Sequence, residues 1–367
     1  MELPNPAHRW LPLRTVVDTS SLDQFPNEEL FMVAHRSCLR GFKLATARSV
    51  SFVRTTLLVA LCVQMVSGCD ARQGKTSLRV GYQKWGTCSI LKASGRLDSV
   101  LKSSGQSVEW IEFPSGPPLL EALNAGSIDV GHTGDSPPLF AQAAGIPFVY
   151  IAASSPSPQS SALVVRENDN LQSVSDLKGK RIGLTKGSSA HTLVIRLLEQ
   201  HDLTLSDVEL VYLTPADARV ALTAGSIDAW SIWDPYLSSV EHSQNARQIA
   251  DGRGTVSGRE FYVASRSAVE KHPQLIHTFL RELAGAKEWA KSHPDKMTQL
   301  LSDQTGLPIA AVKLAESRRN RFDTSPITEE LIAEQQSLAD RFYALGLLPH
   351  TICVKDIADR SFGEFVK

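Results

Sequence analysis

Three short stretches place hydroxyl groups and glycines where a helix is about to begin: KGSSAH (Lys186–His191), EFPSGPP (Glu112–Pro118) and GDSPP (Gly134–Pro138). The opening turn of a helix holds N–H groups without an intrahelical acceptor at the positive end of the dipole, so each stretch is a candidate anion cradle. The candidate ligand-binding residues are therefore Ser188, Ser189 and His191 from the first stretch, Ser115 and Gly116 from the second, and Gly134, Asp135 and Ser136 from the third. Gln83, at the end of a first strand, reaches the same edge. Trp85 and Trp233 bring aromatic surface to it, while Trp230, on the other face of its strand, is expected in the core. Asp234 precedes a proline, as Ser136 does, which suits an N-cap followed by the first helical position. Its carboxylate either caps its own helix or meets a cationic group on a ligand, and the same alternatives attach to Asp135. The serines can cap and bind at once.

Ser188, His191 and Asp234 can also be drawn as a hydrolytic triad. The chain lacks a G-x-S-x-G elbow, a Walker-type phosphate loop and any histidine and cysteine spacing suited to a metal, so the expectation is a binder with no catalytic residues, no cofactor and no metal. With 38 basic and 39 acidic residues the formal charge is −1, and no basic stripe with interleaved aromatics appears. That sets nucleic acid aside as a partner. Of five cysteines, Cys88 and Cys353 fall in the regular part of the chain and are expected as free thiols, Cys88 as a small buried hydrophobe.

The elements that must hold these turns are written twice. ALNAGSIDVGHTGDSPPL from Ala122 and ALTAGSIDAWSIWDPYL from Ala221 run in register, 99 residues apart. Each reads as a helix end with Gly126 or Gly225 in the left-handed C′ position, then a buried strand (128–133, 227–232), then a new helix start. Two such strands imply two similar α/β lobes whose helix N-termini face a shared cleft beyond the strands' carboxyl ends. The alternative is a favourable turn that arose twice. In the first lobe, strands are expected at 78–83, 108–113, 148–153 and 161–165 and a helix at 90–102. In the second, the order is a strand from Arg181, a helix at 192–200, a strand at 209–213 and a helix at 215–223. Phe261–Ala264 reads as a strand returning to the first lobe, and the spacing of Leu275, Phe279, Leu283, Ala286 and Ala290 predicts a C-terminal helical annex. These elements place lobe 1 at 77–165 and 259–367 and lobe 2 at 166–258, with hinge crossings near Val164–Arg166 and Gly258–Phe261. Asp135-Ser136 and Trp233-Asp234 then stand on opposite walls.

The start of the chain has a different character. Residues 1–31 are polar and precede Met32, which makes them either an extension or a mis-called start. Residues 32–69 carry Arg36, Arg40, Lys43, Arg48 and Arg54 ahead of the apolar run Leu57–Met65 and Val-Ser-Gly-Cys69, the plan of an export signal. The run is too short for a membrane span. Val66–Cys69 resembles a bacterial lipobox, which would make Cys69 the lipidated N-terminus of the mature chain; an ordinary cleavable signal is the alternative.

GYQKWG, EFPSGPPLLEALNAGSIDVGHTGDSPPLFAQAAG, LKGKRIGLTKGSSAH, LTPADARVALTAGSIDAWSIWDPY and ITEELIAEQQSLADRFYALGLLP together resemble the aliphatic-sulfonate-binding proteins of bacterial ABC importers, from about Leu78 to Ile357. The resemblance implies an α/β, two-lobed type II periplasmic-binding-protein fold. It also implies a small anionic ligand, an aliphatic sulfonate, held between the lobes of a periplasmic monomer and passed to an ABC permease in the inner membrane. Taurine, nitrate and thiamin-precursor binders share the fold. A sulfonate is a permanent anion with three acceptor oxygens, and several neutral donors suit its capture and release.

Overall fold

The computed structural model of the chain describes residues 77–319 and 323–365. The leader and lipobox expectations, including Cys69, lie outside the described residues. The chain opens with β1 (Ser77–Tyr82), α1 (Thr87–Ser94), α2 (Arg96–Ser103), β2 (Ser107–Glu112), α3 (Gly116–Asn124), β3 (Val130–Thr133), α4 (Ser136–Ala143) and β4 (Phe148–Ser154). A second series follows: β5 (Ser161–Arg166), β6 (Arg181–Leu184), α5 (Ser189–Gln200), β7 (Glu209–Tyr212), α6 (Pro215–Ala224), β8 (Ala229–Trp233), α7 (Tyr236–His242) and β9 (Ala246–Asp251). The remainder is β10 (Phe261–Ser265), α8 (Arg266–Lys271), α9 (Pro273–Ser292), α10 (Pro294–Thr305), α11 (Ile309–Arg318), a two-residue β11 (Thr324–Ser325) and α12 (Glu329–Ala344).

Two mixed sheets result, ordered β11-β4-β10-β3-β1-β2 and β7-β6-β8-β5-β9. Position for position, β2-β1-β3-β10-β4 corresponds to β7-β6-β8-β5-β9. In each, three parallel strands are followed by an antiparallel one, and that strand is the first after a lobe crossing. The return strand at Phe261–Ala264 is therefore present, between β3 and β4. The expectation for residues 161–165 is corrected: β5 hydrogen-bonds to β8 and β9 and belongs to the second lobe. A buried apolar run has no mark that distinguishes the last strand of one sheet from the first of the next. The first crossing consequently lies at 155–160. Arg166, expected at the hinge, sits at the far end of β5, where its guanidinium donates to Ile227 O and pairs with Asp169. Gly258 does lie in the second crossing, at φ 62°, and a Cβ there would fall 2.4 Å from the Ser157 carbonyl oxygen. The crossings are bonded to each other, Ser157 N to Ser257 O at 2.9 Å and Ser154 N to Glu260 O at 2.8 Å.

The helix expected at 90–102 is two helices, because Gly95 takes φ 64° and turns the chain between them. Leu275, Phe279, Leu283, Ala286 and Ala290 are all buried against the first sheet, as their spacing requires. Trp230 is buried in the second lobe.

The repeated AGSID has a structural use that its own residues do not reveal. Gly126 and Gly225 adopt φ 69° and 74°. Asp129 accepts from Arg79 N at 2.8 Å and Nε at 3.0 Å, and Asp228 accepts from Arg181 N at 2.8 Å and Nε at 3.1 Å. The same arginines donate to the carbonyls of Gly126 and Gly225. Ile128 and Ile227 lie over Gly81 and Gly183, where a Cβ would meet their Cδ1 atoms at 2.5 and 2.4 Å. The repeat thus has a second half, Arg-x-Gly on β1 and β6. These partly exposed pairs each contribute on the order of 1 kcal/mol or less, and their main effect is to fix the register of a strand against the helix end beside it.

Candidate functional site

The carboxyl ends of β1, β2 and β3 in one lobe and β6 and β8 in the other open onto a single cleft of about 980 Å³, open water included. Gln83 and Trp85 follow β1, Gly116 follows β2, and Gly134 follows β3. From the opposite lobe come Ser188 and Ser189 before α5, and Trp233 and Asp234 after β8. Eight of the twelve candidates therefore line one cavity. Trp85 is mostly buried, and Trp233 stands edge-on to Tyr236 at 6.2 Å. Their rings form apolar wall beside the polar helix starts.

The helix starts are not capped by side chains in the way their composition led one to expect. Ser188 Oγ donates to Thr185 O at 2.7 Å, and the Ser189 hydroxyl is bonded to Asp135. Both serine protons are thereby engaged, so the donors that α5 presents are the N–H groups of Ser189 and Ala190, which precede any intrahelical acceptor. Thr133 adds a hydroxyl that lines the cleft, is fully buried, and has no hydrogen-bond partner among the described residues. It lies so close to Gly116 that a Cβ on the glycine would come within 2.0 Å of its Oγ1. Backbone and hydroxyl donors from both lobes thus face the cleft, which Lys84, Arg259 and Arg319 also line.

Four candidates stand elsewhere. Ser115 is buried at the N-cap of α3, outside the cleft lining. Ser136 donates to Asp135 Oδ1 at 3.0 Å and shares a hydrogen bond with Thr192 of the second lobe. Asp135, whose pKa burial raises, faces a second interlobe cavity with Thr192 and Gln335. This pair stands on the wall opposite Trp233 and Asp234 but closes the gap between lobes instead of lining the cleft. His191 points into the second lobe: Nδ1 accepts from Gly187 N at 3.4 Å, the ring lies edge-on to Tyr212, and burial lowers its pKa to about 4. With Ser188 bonded to Thr185, His191 to Gly187 and Asp234 to Arg318, the triad drawn from sequence is not assembled. Cys88 is buried with its thiol pKa pushed well up by desolvation, and both Cys88 and Cys353 are free.

Asp234 is bonded within the first turn of its own helix and to an arginine. Its Oδ1 accepts from Ser238 N at 3.0 Å inside α7, and Arg318 lies 3.2 Å away. Burial nonetheless raises its pKa to about 6, the arginine offsetting only part of the desolvation. The helix starts one residue later than expected, with Pro235 itself in the cap position. Arg318 belongs to α11, whose Val312 and Ala315 pack in the first lobe, and it also pairs with Glu241. This contact therefore joins the lobes on one side of the cleft, as Arg341 with Glu199 does on the other.

Several cleft residues carried no sequence signal. Ser154, Ser157, Ser160 and Ser161 line the floor because both crossings run through it, and SSPSPQSS reads simply as a polar linker. Arg319 stacks 5.3 Å over Trp85 from a helix end more than 200 residues away in sequence. Among the described residues no group of three or more His, Cys, Asp or Glu side chains is placed to hold a metal ion.

Residues 102–297 match the family model NMT1/THI5-like. A putative aliphatic sulfonates-binding protein of Escherichia coli (strain K12) is 39% identical over 285 residues, covering 78% of this chain and 89% of that protein. The chain belongs to the NMT1/THI5-like family. Within this family, a putative aliphatic sulfonates-binding protein of Bacillus subtilis (strain 168) is 32% identical over 315 residues, covering 85% of this chain and 94% of its own length. The solved alkanesulfonate-binding protein SsuA from Xanthomonas axonopodis pv. citri, bound to MOPS, is 38% identical with a TM-score of 0.75, covering 78% of this chain and 99% of that one. The two-lobed periplasmic-binding-protein fold is shared with it.

Proposed function

We propose that this chain is the extracytoplasmic substrate-binding component of an ABC importer, which captures an aliphatic sulfonate between its lobes and delivers it, chemically unchanged, to a permease. The observation that carries the reading is the interlobe cleft in which the buried Thr133 hydroxyl and the first-turn N–H groups of α5 approach from facing lobes beside aromatic wall. Three or four neutral donors to an anion, at about 1.5–3 kcal/mol each and less the entropy of capture, correspond to an affinity of about −8 kcal/mol, the micromolar range. Such donors hold a permanent anion yet release it when the lobes part. The sulfonate-binding relatives named above support the ligand class, and a periplasmic site of action follows from the same kinship.

Titration calorimetry with a series of alkanesulfonates, followed by mass analysis of the recovered ligand, tests the reading. Micromolar binding and unaltered ligand are expected; turnover, or no binding of any member, refutes it. The protein acts as a monomer anchored through a lipidated Cys69, for which Val66–Cys69 is the support. Cys69→Ala is expected to move the chain from the membrane to the soluble periplasmic fraction. A wild-type chain already soluble after export refutes the anchor.

A further inference from the structure

The two crossings are bonded into a ribbon, and a two-stranded ribbon twists as well as bends. A twist would carry the start of α5 sideways past Thr133. A third contact between the lobes stands beside that ribbon without being part of it. α11 is held in the first lobe by Val312 and Ala315, yet it packs against α7 of the second lobe and against residues 158–160 of the first crossing. Its last residue, Arg318, lies 3.2 Å from Asp234 and also pairs with Glu241. Both carboxylates are held by donors of their own lobe, Asp234 by Ser238 N at 3.0 Å and Glu241 by Gln248 Nε2 at 2.7 Å. The receptor for the guanidinium is therefore set before the arginine arrives. Asp234 N in turn donates to Ser160 O at 2.8 Å, which ties that receptor to the crossing. On the other side Arg319 anchors the end of α11 in the first lobe, 5.3 Å over Trp85 and 3.8 Å from Glu316. The Arg318 side chain is 10% exposed and that of Asp234 1%, so water does not separate them.

We propose that Arg318 is a positioning residue that makes this joint a third attachment between the lobes, shut in the open and the liganded protein alike. The lobes then turn about one axis, and the start of α5 returns to the same place opposite Thr133. This inference uses the capture between lobes proposed above, but not the identity of the ligand. A clasp that lets go on opening is the alternative. The bond from Asp234 N to the first crossing argues against it, because a joint fastened to the hinge has little distance to travel when the cleft widens.

The test places spin labels at the exposed positions Lys313 and His242, one on α11 and one on α7, in a chain whose accessible thiols are replaced by serine. Pulsed electron–electron resonance on the ligand-free protein is expected to give one narrow distance, which propane-1-sulfonate leaves unchanged within about 2 Å while small-angle scattering shows the radius of gyration falling. A broad distance in the ligand-free protein overturns the pivot whether or not any sulfonate binds. So does a larger shift on binding, or binding with no change in radius. Arg318→Met is expected to broaden the distance and to slow association of propane-1-sulfonate about fivefold, with dissociation within about twofold, because only the aligned fraction of the open protein captures ligand. Arg318→Lys should fall between the two. Wild-type association in Arg318→Met, or a loss confined to dissociation, overturns the role of Arg318. The wild-type distances decide the matter even if neither variant folds. A narrow distance in a wild type that binds no alkanesulfonate supports the joint and overturns the sulfonate reading.

Discussion

Gly134 faces Ser189 of the other lobe beside the cleft, and replacing it by alanine isolates the energy of closure. A Cβ at this position would lie 1.9 Å from Ser189 Oγ and 3.2 Å from Ser189 Cβ, across the lobe interface. The hydroxyl can rotate away, but it then leaves Asp135, a desolvated carboxylate that it helps to hold. Loss of a hydrogen bond to a charged acceptor costs about 1.5–3 kcal/mol, and a methyl forced into a packed contact costs about 1–3 kcal/mol. An open form, with the walls apart, has neither penalty. Gly134→Ala is therefore expected to weaken sulfonate binding by about ten- to a hundredfold while the ligand-free protein melts within a few degrees of the wild type. Ser189→Gly removes the atoms that the new methyl meets, so in a double-mutant cycle the alanine is expected to add little to the glycine. Titration calorimetry on the four proteins, with small-angle scattering to follow closure, provides the measurement. Affinity within twofold of the wild type, or strict additivity in the cycle, refutes the argument.

Two further expectations follow from the burial of single groups. Asp234 has a folded pKa raised to about 6 by desolvation, so its contribution to stability is full below the unfolded value near 4 and is lost as pH rises through 6. Denaturant titrations should show the stability of the wild type relative to Asp234→Asn falling by on the order of 3 kcal/mol between pH 4 and pH 7; a flat difference refutes the sign. Gly183→Ala would place a Cβ 2.4 Å from Ile227 Cδ1 and is expected to destabilise by about 1–3 kcal/mol. Ile227→Val, which removes that atom, should recover part of the loss, and no recovery in denaturant melts refutes the proposed contact.

Much of the scaffold was legible because hydrophobic period and turn chemistry are local. Gly126 and Gly225 could be placed in left-handed turns from their neighbours alone, and the helical spacing from Leu275 to Ala290 identified the buried face of α9. The partner of the AGSID aspartate was not, since an arginine two residues before a glycine on a distant strand has no local signature, although LRVG and KRIG stand in plain view once the pairing is known. In the cleft, residues next to helix starts were found and residues brought in by topology were missed. His191 illustrates the reason: a spacing of three from Ser188 points to the same helix face, yet the ring is buried beside Gly187 and Tyr212 and does not line the cleft. The serine hydroxyls teach a similar lesson. Sequence supplies the donor, but only the fold shows that Thr185 and Asp135 already accept its proton.

The paired crossings have a mechanical consequence for capture. Ser154, Ser157, Gly258, Arg259 and Glu260 belong to the same bonded ribbon on which the lobes would turn, and they are also the floor of the cleft. Atoms near the axis of a rotation travel least, whereas Trp233 and the start of α5 lie out on the moving arms. A ligand entering the open protein thus finds the floor already in its final form and is read there first. The arms arrive second, so selection between ligands at the floor precedes the commitment made by closure, and an ill-fitting molecule can leave before the lobes have moved.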